Sequence, residues 1–169
     1  MTLFASRALY RSRQVLHALR PRVDEDGLQY VRGFLAEPLS RLFFAMERRD
    51  QRHALEVTGR LRAMAVEDRD LLTAALLHDC GKGAVPVWLR IAYVLAPTLV
   101  PALVRRAGVQ GAMAGWRGAA QRLANHVTLG ERLAADAGAS EVTLRLISGH
   151  PAQAEEPLMA LLMQADDAS

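Results

Sequence analysis

Seven consecutive residues, Leu71-Leu72-Thr73-Ala74-Ala75-Leu76-Leu77, carry no charge, and the run ends at once in His78-Asp79-Cys80-Gly81-Lys82. Such a run reads as a buried helix, and it organises the reading of the rest of the chain. The same burial carries His78 and Asp79 toward the interior. A carboxylate beside an imidazole is costly to bury without a compensating partner, and a divalent cation is the natural one. Taken alone, the pair would also suit a helix cap with a local ion pair. Gly81 is expected to turn left-handed and stop the helix.

The remaining chain reads as helices that could surround such a core. Alanine and leucine are abundant, aromatic residues make up 5% and β-branched runs are scarce, which favours an all-α protein. At 169 residues the chain is about one domain's worth. Helices in residues 1–48 are expected to brace a core of residues 49–169 within one compact domain. Asp24 to Ala45 reads as two short helices split at Pro38, the first capped by Asp24. Asp50 is the expected cap of the next helix, on which His53, Val57, Leu61 and Met64 form one stripe. A short link, Ala65 to Asp68, then brings His53 within reach of His78-Asp79.

Toward the end of the chain, His126, Leu129, Gly130 and Leu133 share a face, with Asn125 a candidate cap. Gly138 and Ser140 end one helix and begin another, which runs to His150 and is stopped by Pro151. The last helix, from about Glu156, turns Leu158, Leu161, Leu162 and Ala165 inward, with Asp166 on the same face and Asp167 one step round toward solvent.

Histidine occurs only at positions 17, 53, 78, 126 and 150. The ordered set Arg52-His53, Leu77-His78-Asp79-Cys80-Gly81-Lys82, His126-Val127-Thr128-Leu129-Gly130, Ile147-Ser148-Gly149-His150 and Ala165-Asp166 resembles the HD superfamily of metal-dependent phosphohydrolases. The resemblance runs from about Gln51 to Asp167. It implies an all-α HD-domain helical bundle in which His53, His78, Asp79 and Asp166 hold a metal. His126 and His150 are additional to that minimal set, as in the two-metal branch, where the aspartate of the pair bridges both ions. The implied cofactor is a divalent transition metal, two ions per chain, with Fe or Mn favoured and Mg, Co, Ni or Zn also compatible. Imidazoles mixed with carboxylates suit these metals better than Ca, which prefers oxygen cages.

The implied reaction is hydrolysis of a phosphoester or anhydride. Asp79 would orient the nucleophile, Lys82 would meet a phosphate oxygen, and Arg52 would assist in binding substrate. Lys82 is the only lysine beside 20 arginines, and a compact ammonium suits that task. A linear nucleotide or dinucleoside polyphosphate fits the lone His150. Cyclic-dinucleotide phosphodiesterases of the superfamily usually carry a doubled histidine at that point, which is lacking here, so that activity is an alternative. Another is a non-catalytic HD-type regulatory or ligand-binding module.

The formal charge of +3 is modest and no aromatic residues interleave with basic clusters, so a small anionic substrate is expected rather than nucleic acid. Cys80, the lone cysteine, rules out an intramolecular disulfide, suits a reducing cytoplasm and is read as structural. Residues 1–23 hold five arginines and no acid. They read as a helix docked on its own domain rather than a signal peptide, with weak peripheral membrane contact as the alternative. His17 there receives no role. Val85 to Val104 contains only one charge, Arg90, but Pro86, Pro97 and Pro101 break it, so short helices around the mouth of the site are expected.

Overall fold

The computed structural model describes residues 24–85, 119 and 122–169. The readings of residues 1–23 and 86–104 lie outside the described residues. Within those described the all-α expectation is met, with helices and no strand. In chain order they are α1 (Glu25–Phe34), α2 (Glu37–Ala45), α3 (Arg48–Ala63), α4 (Arg69–Leu77), α5 (His126–Asp136), α6 (Glu141–Ser148), a 3-10 turn (Gln153–Glu155) and α7 (Glu156–Asp167).

The uncharged run is α4, and all seven of its residues from Leu71 to Leu77 are buried. It packs against α2, α3, α6 and α7. Leu28, Val31, Leu35, Leu39, Phe43 and Met46 of the N-terminal helices belong to the same apolar core as α4, together with Leu146, Leu162 and Ala165. Polar side chains fix the entries and exits. Asp68 caps α4 by accepting from the Leu71 N–H at 2.8 Å, while Arg69 donates to the Phe34 carbonyl at 2.8 Å and lies over the Phe34 ring. Gln51 donates to the Phe44 and Met46 carbonyls, tying the start of α3 to the end of α2. Ser140 caps α6 through the Thr143 N–H and also donates to Asp70, fastening α6 to the start of α4.

Several local expectations are corrected. The break between α1 and α2 falls at Leu35-Ala36, and Pro38 sits in the first turn of α2, where its missing N–H is not needed. Asp50 is not a cap. Helix α3 begins at Arg48 with Glu47 in the cap position, and Asp50 is buried in the first turn, where the positive end of the helix favours a carboxylate. Met64 leaves the buried stripe because α3 ends there, and it is 40% exposed.

Helices α3, α5 and α6 end alike, with a left-handed residue at Ala65, Gly138 and Gly149. At each, the following amide reaches back to the last turn: Val66 to the Leu61 carbonyl, Ala139 to Ala134 and His150 to Arg145. Gly81 is not among the left-handed residues. Glycine is required there by proximity: a Cβ would collide with the His126 carbonyl and the Gly130 amide, so two backbones meet where a side chain would stand.

Candidate metal centre

His53 leaves α3 one turn after its start, His78 and Asp79 follow the last residue of α4, and Asp166 lies in the last turn of α7. Ligand atoms of His53, His78 and Asp166 fall within 4.8 Å of one another, the one such cluster among the described residues. His53 Nε2 donates to Asp166 Oδ1 at 2.8 Å. His78 Nε2 faces Asp79 Oδ1 at 3.6 Å and Asp166 Oδ1 at 3.7 Å, and the two imidazole rings stand edge to face at 5.3 Å.

The ring nitrogens show whether this cluster fits a cation. His78 Nδ1 lies 3.0 Å from the Ala75 carbonyl, which can only accept, so in the neutral ring the proton is on Nδ1 and Nε2 presents its lone pair to the cluster. That Nε2 is buried without a hydrogen-bond partner. A buried acceptor aimed at two carboxylate oxygens is unfavourable by itself and suited to a cation between them. His126 repeats the arrangement, with Nδ1 2.7 Å from the Leu123 carbonyl.

Asp79 is buried, and its Oδ2 accepts from Lys82 Nζ at 2.5 Å. Burial alone pushes its carboxyl up, but His78, Lys82 and His53 outweigh that and hold its pKa below the ordinary value. The hydrogen bond from His53 chiefly lowers Asp166, against the opposing effect of burial. Burial lowers His126, opposed by its bond to the Leu123 carbonyl, so the ring stays neutral and able to donate a lone pair. Burial, then the neighbouring Asp79 charge, pushes the Cys80 thiol up to about 11, and its sulfur lies 3.6 Å from the Gly130 carbonyl. A thiol so far from ionising is structural at neutral pH.

These groups open into a cleft of about 290 Å³ lined by His53, His78, Asp79, Lys82, His126 and Asp166. His150 and Arg52 are not brought to it. His150 is exposed beyond α6, where left-handed Gly149 turns the backbone away from the helix. Arg52 is one residue, about 100° of helix, from His53. It pairs with Glu56 and lines a separate groove of about 470 Å³ between α1 and α3. That groove is larger, but it contains no histidine or cysteine, and Arg62 there lies over the Tyr30 ring. The histidine and aspartate cluster lies in the smaller cleft.

Met159 and Met163 also line the cleft and have no place in the sequence reading, which includes Val127 only as part of the run that starts at His126. The signal was present: Met159, Met163 and Asp166 are spaced by four and three residues, which places them on one side of a helix. A family model described as HD domain matches residues 51–168, well over half of the chain. No curated protein and no solved structure gives a match.

Proposed function

The chain belongs to the HD domain family, and on that premise we propose that it is a divalent-metal-dependent phosphohydrolase. Its substrate in this reading is a small phosphorylated molecule: a nucleotide, a dinucleoside polyphosphate or a related phosphoester. Metal-dependent hydrolysis of phosphate compounds is the general chemistry of the family. The observation that carries the reading is the unpartnered, buried Nε2 of His78 aimed at the oxygens of Asp79 and Asp166 beside His53.

His53, His78 and Asp166, with Asp79 at their edge, would hold a transition metal, Fe or Mn by preference. Bound there, such an ion supplies Lewis acidity that acidifies water and offsets charge on phosphoryl oxygens. Asp79, ionised well below neutrality, acts by orienting a water through its carboxylate oxygens rather than by storing its proton. The Lys82 ammonium, held on Asp79 Oδ2 at the cleft, would meet a phosphate oxygen. His126 would either accept a proton or help to hold a second ion. His150 would have to approach from solvent to complete a second set. The lone cysteine suits a cytoplasmic setting, and among the described residues no helix is long and apolar enough to cross a membrane.

The test is elemental analysis of anaerobically purified protein together with phosphate release from nucleotides, dinucleoside polyphosphates and simple phosphate esters. Bound transition metal and metal-dependent release are expected. Replacing both His78 and Asp79 with Ala should remove the metal and keep the helical circular dichroism. Neither metal nor release after Mn or Fe is supplied would leave a ligand-binding module instead.

A further inference from the structure

The cleft has walls that neither the metal ligands nor Lys82 explain. Among the described residues three large apolar side chains are exposed: Met64, Val127 at 36% and Met163 at 58%. Val127 and Met163 both line this cleft. Val127 follows His126 at the start of α5. Met163 precedes Asp166 by three residues on α7, and Met159, one turn earlier, lines the cleft too. Buried Leu146, Ile147 and Leu162 complete the apolar lining.

Apolar side chains that line the same concave cleft as a charged cluster give a bound molecule a second kind of surface to meet. Their partner has to combine an anionic end with an apolar one. At the anionic end stand the Lys82 ammonium and the ligand cluster. At the other, methionine supplies flexible, polarisable surface that moulds to a hydrocarbon. Polar groups able to read a sugar or a base are scarce. Among the described lining residues there is no asparagine, glutamine, arginine, tyrosine or tryptophan, and the Ser148 hydroxyl already donates to the Arg145 carbonyl at 3.2 Å.

Resting on the reading of the site as a metal phosphohydrolase, we propose that the substrate is a phosphate monoester of an apolar alcohol. The phosphate faces Lys82 and the ligand cluster, and the hydrocarbon lies against Val127, Met159 and Met163. In the reaction water adds to phosphorus and the bond from phosphorus to the alcohol oxygen breaks. That oxygen leaves with a proton, giving the free alcohol and inorganic phosphate.

Two measurements separate this proposal from the reading beneath it. Calorimetric titration of the manganese-loaded protein with n-alkylphosphonates, which are not hydrolysed, should show affinity rising about fourfold per methylene until the cleft is filled. The gain per methylene should shrink in Met163→Gln and Val127→Thr, both at exposed positions, and persist in Met163→Leu. In parallel, phosphate release from n-alkyl phosphates should exceed release from glycerol phosphate and ribose phosphate. Affinity indifferent to chain length, or a preference for the polar esters, would overturn the proposal while leaving a phosphohydrolase. Chain-length-dependent binding with no release from any ester would instead overturn the phosphohydrolase and keep the apolar cleft.

Discussion

At the scale of single residues, the centre is set by which ring nitrogen keeps its proton. The Ala75 and Leu123 carbonyls hold the protonated nitrogens of His78 and His126, and so decide where the two lone pairs point. Lys82 has a different task. Its ammonium offsets a carboxylate that would otherwise be buried beside two imidazoles, and it also faces the cleft. Lys82→Met should therefore keep the bound metal, since Asp79 loses a competitor for its oxygen, yet lower phosphate release by about 100-fold as an electrostatic contact to the phosphate disappears. Measured together, unchanged turnover with unchanged metal content would reduce Lys82 to a counter-ion. Residue order marked His53, His78, Asp79 and Asp166 through its likeness to the HD family, and the fold brings the four together. That order did not make the directions of Arg52 and His150 legible. Those depend on one residue's rotation about α3 and on the left-handed turn at Gly149, which are decided by packing.

Among the elements, the three similar helix ends amount to an internal comparison. Gly138 and Gly149 adopt the left-handed turn freely, whereas Ala65 adopts it at φ 58° with a Cβ. Ala65→Gly should raise stability by roughly 1 kcal/mol or less, since relief of strain is partly offset by the greater freedom of glycine in the unfolded chain. The urea midpoint checks this. The join between α6 and α7 depends on Arg145, which grips Glu155 with two nitrogens at 2.6 and 2.9 Å, while Glu155 also accepts from the Ala152 N–H. The hydrogen bond from Arg145, then that from Ala152, lowers the Glu155 pKa from 4.5 to about 2. The folded form thus binds this proton more weakly than the unfolded chain. Its stabilisation is complete above about pH 4.5 and lost as the pH falls through about 2. Glu155→Gln should be less stable than the parent at neutral pH, and the gap in thermal midpoint should close over that acid window. A constant gap would mean that the pair does not couple to pH.

On the scale of the whole molecule, one buried helix imposes the arrangement: with every face of α4 apolar, α2, α3, α6 and α7 all have to touch it. The ligands then converge because their helices share that neighbour. That α4 is buried could be read from the uncharged run, whereas its neighbours could not. Nor could the reason why residue 81 is glycine, because it lies in a segment far along the chain. Gly81 and Gly130 meet backbone to backbone, and the adjoining Cys80 reaches the Gly130 carbonyl across 50 positions. That contact seats His126 beside the centre. Closing such a ring depends only logarithmically on its length, so doubling the intervening chain would cost about 0.6 kcal/mol. Added length is thus a small burden on this closure, which depends on the two glycines at its ends.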